Sequence, residues 1–329
     1  MKIAVVILNW NGKNLLETFL PSVVAHSQDA KVYIADNAST DDSVAFVKTH
    51  FPSIQIIQNA GNFGYAKGYN EALKHIDADV FCLLNSDVEV TQNWLSPIIE
   101  TFQTEPKTAI IQPKLLDYHH KNQFEYAGAA GGFIDMYGYP YCRGRIFDHI
   151  EEDTGQYNDN ATIFWASGAC LFIRSNVFNK LDGLDEAFFA HFEEIDICWR
   201  AFNSGYNIKY VGASRVYHVG GATLKNTNPK KTYLNFRNSL FAITKNAKGN
   251  LFLILLIRML LDGLAAFKFL TEFKFAHILS IIKAHLGFYN HLPSLLKLRG
   301  NSTKKGDYYQ KKSIVWAYFI AKQKNYNSL

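Results

Sequence analysis

The stretch Val80-Phe81-Cys82-Leu83-Leu84, followed by Asn85-Ser86-Asp87-Val88-Glu89-Val90, decides the fold. Five consecutive apolar residues read as a strand buried on both faces, as in a parallel sheet, and the polar turn behind it sets a carboxylate at the strand's carboxyl end. Open α/β sheets bind ligands at that edge. An aspartate there, with little positive charge nearby, suits a hard divalent cation already carrying phosphate oxygens, while a solvated turn is the plainer account of the same hexapeptide.

The pattern repeats on the amino-terminal side. Ile3 to Leu8 reads as a first strand with a polar turn from Asn9 to Gly12, and Leu15, Leu16, Phe19, Leu20 and Val23 follow at helical spacing. Val32 to Ala35 is a second strand, ending in Asp36-Asn37-Ala38-Ser39-Thr40-Asp41, where Ser39, Thr40 and Asp41 each suit a helix N-cap. Ile54 to Ile57 is a third, leading into Gly61-Asn62-Phe63-Gly64-Tyr65-Ala66-Lys67-Gly68-Tyr69-Asn70. Strands alternating with helices argue a doubly wound, mostly parallel sheet. The turns then share one edge, so Asn9, Asp36, Gly64 and Asp87 are expected as neighbours around one crevice. The glycines match neither the dinucleotide fingerprint nor the P-loop, although each lets backbone approach a nucleotide closely.

Further along, Trp94 to Phe102 reads as a helix and Ala109 to Gln112 as a strand. Residues 117 to 160 carry scattered Gly, Tyr and Asp without a period and read as a long, partly ordered loop. Phe164 to Ile173 returns to a buried strand. Glu193, Glu194 and Asp196 occupy the first turn of a helix through Ile195, Cys198, Trp199 and Phe202, where the macrodipole favours carboxylates, and one of the three could equally face a crevice as a general base. Two closing strands, Ile208 to Val211 and Arg215 to Val219, carry His218 just before Gly220-Gly221; the histidine is either structural or a metal ligand.

At 329 residues, 48% hydrophobic and 15% aromatic, the chain is globular and can bury a full α/β core with a smaller appended region. Its charge is uneven. Residues 1 to 244 hold 20 Lys and Arg against 26 Asp and Glu, and residues 245 to 329 hold 14 against 3. A mildly acidic body and basic residues interleaved with aliphatic ones in the tail argue against nucleic-acid binding. Cys82, Cys142, Cys170 and Cys198 are scattered in apolar stretches and read as reduced thiols of a cytosolic protein, with no zinc site. The run Ile3 to Leu8 is too short for a signal peptide core.

As a set, Asn9-Trp10-Asn11-Gly12, Asp36 to Asp41, Asn62 to Asn70, Asn85-Ser86-Asp87, Gly168-Ala169, Phe192-Glu193-Glu194-Ile195-Asp196 and His218 resemble the family-2 inverting glycosyltransferases of GT-A fold, in the rhamnosyltransferase-like branch, over about residues 1 to 245. The resemblance implies that Asp36 recognises the base, with Asn9, Asn11, Gly64, Lys67, Asn70 and Asn85 lining the nucleotide. It implies that Asp87 is the last member of a D-x-D-type metal motif whose first position is Asn85 here, that His218 is a second ligand, and that the metal is Mn²⁺ or Mg²⁺. Glu194 would be the catalytic base, where the usual residue is Asp, with Asp196 as the alternative. Glu193, Trp165 and Gly168 would lie on the acceptor side.

The implied donor is a dTDP- or UDP-sugar, dTDP-rhamnose by the branch, and the acceptor a glycan or lipid-linked glycan in cell-surface polysaccharide synthesis. The expected organisation is a catalytic domain over 1–245, with a nucleotide half to about 115 and an acceptor half from about 116, and a basic amphipathic helical tail over 246–329. Apolar runs in the tail are broken by Arg258, Asp262, Lys268 and Lys274, which argues against a spanning helix. The tail fits either a helix lying on an anionic membrane surface, peripheral on the inner face of the cell membrane, or a helical lid on the catalytic domain; Lys304-Lys305 and Lys311-Lys312 add charge to both. Two other functions share parts of the pattern: a sugar-phosphate nucleotidyltransferase, and a catalytically silent sugar-binding or membrane-scaffold protein.

Overall fold

The structure is a computed structural model that describes residues 1–220, 228–300 and 306–329. Lys304, Lys305 and Gly221 lie outside the described residues. The amino-terminal elements alternate as expected: β1 (Ile3–Asn9), α1 (Lys13–His26), β2 (Lys31–Asp36), α2 (Ser43–His50), β3 (Gln55–Gln58), α3 (Gly64–Leu73) and β4 (Val80–Asn85). After the turn at Asp87 come β5 (Val88–Val90), α4 (Ser96–Thr104) and β6 (Thr108–Asp117). β1 shows why this order folds. Ala4 and Val6 enter the hydrophobic cluster on one face of the sheet, Val5 and Ile7 the cluster on the other, so burial on both faces produces the unbroken apolar run.

Residues 117 to 160 are more ordered than the sequence suggests. They form a second, four-stranded antiparallel sheet of β7 (Gly132–Ile134), β8 (Pro140–Cys142), β9 (Arg145–Ile146) and β10 (His149–Ile150). Strands of two or three residues are too short to show a period, and left-handed glycines at Gly138 and Gly144 make the reversals between them. Then follow β11 (Asn160–Ile163), β12 (Cys170–Arg174), α5 (Ser175–Lys180), α6 (Glu193–Asn203) and β13 (Asn207–His218). Only the second half of the expected Phe164 to Ile173 strand is a strand. The two expected closing strands are one, with a register irregularity between Val211 and Arg215.

The main sheet runs β11-β13-β6-β12-β4-β1-β2-β3, with β5 pairing β13. β3, β2, β1 and β4 are mutually parallel, β6 and β13 are parallel, and β12 runs antiparallel between β4 and β6. This is a GT-A fold: a mixed α/β sheet whose parallel half ends along one edge.

α7 (Pro229–Asn246) closes the body, and the tail beyond it consists of α8 (Leu251–Thr271), α9 (Phe275–Gly300) and α10 (Ile314–Phe319). It is docked on the body through buried polar contacts. Arg258 lies over the Tyr139 ring at 3.9 Å and donates to the Tyr137 and Gly138 carbonyls at 3.1 and 3.2 Å. Its partner Asp262 accepts from Tyr139 at 2.8 Å, and the Ile314 amide donates to Asp135 at 2.9 Å. Among the described residues no helix is long and apolar enough to cross a membrane.

Candidate functional site

Sheet register brings the first site residues together. Asn9 pairs with Asp36 across β1 and β2, and Leu8 with Asn85 across β1 and β4, so three polar carboxyl-terminal turns share one edge. Asn9 is buried, and its amide donates to Asp36 at 2.8 Å, to Ser43 Oγ at 2.9 Å and to Ser39 Oγ at 3.1 Å. Asp36, expected to read the base, is itself fully buried, and both its oxygens accept from the protein: from Asn9, from the Ser39 amide and hydroxyl at 2.9 and 2.6 Å, and from Gln58. These contacts brace the turn. Asn11, at φ 51°, accepts from the Thr40 amide at 2.7 Å and fixes the same turn from outside.

Gly64 opens α3 at φ 71°, and a Cβ there would lie 3.1 Å from the Phe189 carbonyl oxygen, so the position requires glycine. Lys67 remains at the surface, 4.6 Å from the Phe63 ring centroid and 4.0 Å from Glu186. Asn70, expected to line the nucleotide, has both ends of its side chain bonded to the Leu184 backbone. Its amide donates to the Leu184 carbonyl at 2.8 Å and its oxygen accepts the Leu184 amide at 2.9 Å, which ties α3 to the segment before α6.

The second group forms where β5 pairs with β13 and sets Val88 opposite His218. His218 Nε2 lies 3.1 Å from Asp87 Oδ1 and 3.4 Å from the Asn85 amide, while Nδ1 faces Glu125 at 3.3 Å. Burial works against the imidazolium, but Glu125 and Asp87 more than offset it and push His218 up to about 10. Glu125 was not legible as a site residue, because it falls in the segment without a period. Among the described residues no group of three or more His, Cys, Asp or Glu is placed to hold a metal ion by itself. The donor chemistry fits a cation that displaces the Nε2 proton: one carboxylate oxygen and one imidazole nitrogen converge, with an acid behind the ring to hold the remaining N–H.

The third group is built by strain. Phe189, His191 and Phe192 sit at φ 64°, 67° and 74°, three bulky residues in the left-handed region immediately before α6. Fully buried Asn238 on α7 holds them there, its amide reaching the carbonyls of Phe188, Ala190 and His191 at 3.0, 2.9 and 2.6 Å. The clamp delivers Glu193 and Glu194 at the helix start. Each has an Oε2 that is buried without a hydrogen-bond partner among the described residues. Burial pushes Glu194 up to about 7, and burial with the neighbouring Glu194 charge pushes Glu193 well above the carboxylate range.

Gly168 belongs here: its carbonyl accepts from Tyr65 at 2.7 Å, and a Cβ on it would stand 3.8 Å from Glu194 Cβ. The next carbonyl, of Ala169, accepts the backbone N–H of Asn85 at 3.0 Å, so one short segment links the acid pair to the Asn85–Asp87 turn. Two expected residues lie elsewhere. Trp165 is buried against Gly132 with its indole N–H on the Phe133 carbonyl at 2.8 Å, a core pillar and not an acceptor contact. Asp196 is fully buried with Arg200 at 2.7 Å, Lys245 at 2.9 Å and Asn246 at 2.8 Å; burial alone would raise its carboxyl, but Lys245 and Arg200 hold it down to about 2. So weak a base, with its oxygens occupied, anchors α6 to α7.

Residues 4–182 match the family described as glycosyl transferase family 2. Among curated proteins, the N-acetylglucosaminyl-diphospho-decaprenol L-rhamnosyltransferase of Mycobacterium tuberculosis (strain ATCC 25618 / H37Rv) is 24% identical over 220 residues, 62% of this chain and 71% of that protein. The rhamnosyltransferase WbbL of Escherichia coli (strain K12) is 21% identical over 223 residues, 65% and 82% of the two chains. Among solved structures, the mannosyltransferase PcManGT from Pyrobaculum calidifontis, in complex with GDP-Man and Mn2+, shares the fold at TM-score 0.54 and 14% identity over 91% of this chain and 84% of that one. S. aureus TarS 1-349 in complex with UDP does so at TM-score 0.52 and 15% identity, over 76% and 67%. The chain belongs to glycosyltransferase family 2 and is a glycosyltransferase similar to rhamnosyltransferases.

Proposed function

We propose that this glycosyltransferase moves a sugar, with inversion, from a nucleotide-diphosphate sugar to a hydroxyl of a glycan acceptor in cell-surface polysaccharide synthesis. The donor is dTDP-rhamnose, in keeping with the rhamnosyltransferase relatives, and the acceptor is a glycan carried on a lipid, as the name of the mycobacterial relative describes for that protein. The observation that carries the reading is Glu194: a carboxylate with one unpartnered buried oxygen, poised near neutral pH at the head of a clamped helix.

Glu194 takes the proton from the acceptor hydroxyl as that oxygen bonds to the anomeric carbon. The bond from that carbon to the diphosphate breaks in the same step, its electron pair leaving with the diphosphate. One displacement inverts the centre, and no covalent enzyme intermediate forms. Asp87 and His218, with Asn85 beside them, would hold Mn²⁺ or Mg²⁺, which when bound supplies positive charge to the departing diphosphate. Glu125 holds the His218 ring from behind, Lys67 meets a phosphate at the mouth, and Gly64 at the start of α3 faces the nucleotide. Glu193 stays protonated beside Glu194 and serves the acceptor side with Gly168. The catalytic unit is 1–245, its nucleotide half to about 115 and its acceptor half from about 116, and 246–329 is an appended helical unit working at the inner face of the cell membrane.

The test is incubation with dTDP-rhamnose, UDP-sugars or GDP-sugars, Mn²⁺ and a short-chain prenyl-diphosphate-linked sugar, with the product's anomeric configuration read by NMR. An inverted rhamnoside is expected. A retained configuration would remove the single-displacement mechanism, and transfer from another donor alone would replace the sugar.

A further inference from the structure

α8 is turned inside out. The residues it buries are Ile254, Arg258 and Asp262, at the i, i+4, i+8 spacing of one face, so the charged pair Arg258 and Asp262 points into the protein. Its outward face carries Phe252, Leu260, Leu264 and Phe267, exposed by 77%, 64%, 65% and 64%. A helix facing water has the opposite arrangement. The turn that follows carries Phe273, 80% exposed at φ 57° and in edge contact with the Phe275 ring at 6.4 Å. From Phe275 the exposed apolar stripe continues along α9 to Leu286 and beyond.

Charge accompanies this surface. Lys268 and Lys274 flank the Phe273 turn with half-exposed side chains, both paired with Glu272 at 3.9 and 2.6 Å, so the turn keeps one net positive charge, and Lys283 and Lys297 are exposed along α9. The whole segment from residue 245 onward has 14 Lys and Arg and 3 Asp and Glu. We infer that the outer face of the α8–α9 hairpin, led by Phe273, is a docking surface for an anionic lipid bilayer, lying in the headgroup layer with its apolar stripe toward the acyl chains and its lysines among the phosphates. Charge selects this occupant over a second copy of the chain, because two such faces brought together would oppose basic residues to basic residues. The inward Arg258–Asp262 pair fixes which side of α8 faces out, so the surface is preset by the fold. The inference deepens the reading of a lipid-linked acceptor and rests on it only for the purpose of the contact: docking here holds the enzyme at the surface where such an acceptor lies.

Co-sedimentation of the full chain with vesicles tests this without turnover. Vesicles of phosphatidylglycerol and phosphatidylcholine are compared with vesicles of phosphatidylcholine alone, for the native protein and for the combined variant Phe252→Ser, Phe267→Ser, Phe273→Ser. These side chains are exposed, so circular dichroism and transfer to a water-soluble acceptor should match the native protein. The native chain is expected to sediment with the anionic vesicles, to be released by salt, and to partition about tenfold or more better than the variant. Equal sedimentation of variant and native protein, or none of the native protein with anionic vesicles, overturns the inference. A concentration-dependent dimer in light scattering, abolished by the variant while vesicles are not bound, would assign the face to a second copy instead. Vesicle binding with no sugar transfer would leave the docking intact and count only against the proposed reaction.

Discussion

The Asn238 amide lies 2.6 Å from the His191 carbonyl oxygen, and the same nitrogen reaches the carbonyls of Ala190 and Phe188. One side chain of α7 thus holds three backbone oxygens of a loop that three bulky residues traverse at positive φ. Each such residue costs about 1–3 kcal/mol, so the loop keeps its shape only while something fixes it.

Asn238→Ala should therefore relax the loop and move Glu194 at the head of α6. A displacement near 1 Å costs about 10²-fold in rate. Turnover should fall by that order with the donor KM little changed, and thermal unfolding should report a loss of about 1–3 kcal/mol from the unsatisfied carbonyls. Loss of stability with native turnover would contradict the positioning role.

The pH dependence follows from Glu194. It acts as a base only when ionised, so turnover should rise with pH through about 7 and level off above it. Stability should move the other way. Between the ordinary 4.5 of a glutamate and about 7, the native state holds a proton that the unfolded chain has released, and the folded state loses stability as pH rises through that window. Glu194→Gln should abolish both trends, keep donor binding and lower turnover about 10²–10⁴-fold. A variant with the native pH–rate profile would exclude Glu194 as the base.

Asp196 is expected to behave as a structural acid. Removing it takes a carboxylate from half-buried Arg200 and leaves buried Lys245 with Asp185 alone, which costs up to about 3–5 kcal/mol. Asp196→Asn should lower the melting temperature strongly while whatever remains folded keeps its pH–rate profile. A stable, inactive variant would return Asp196 to the chemistry.

The sheet was readable because burial on both faces writes itself as unbroken apolar runs, as in Val80 to Leu84, and because polar turns mark the strand ends. Site roles were less so. A polar residue at a strand end looks the same in sequence whether it meets a ligand, as expected of Asp36 and Asn70, or satisfies neighbouring backbone and side chains, as both do here. The roles of Glu125 and Asn238 were not legible because each gains its place from pairings distant in sequence, with His218 and with the loop before α6. The tail's sequence fits either a lid or an interfacial helix, and in α8 the two are compatible: its Arg258–Asp262 face is docked and its apolar face is open.

Glu125 faces the His218 nitrogen opposite the one near Asp87. Glu125→Gln should weaken metal affinity about 10–100-fold, read by Mn²⁺ titration in the presence of nucleotide. Unchanged affinity would show that the acid does not orient the ring.

The most direct measurement is calorimetric titration of dTDP, UDP and GDP into the native protein and into Asp87→Ala, each with and without Mn²⁺. The account predicts that a nucleotide, dTDP foremost, binds the native protein far more tightly with the metal and that Asp87→Ala loses this difference. Binding that ignores the metal in both proteins, or no binding of any nucleotide, would contradict the assignment of the crevice as a metal-assisted nucleotide-sugar site.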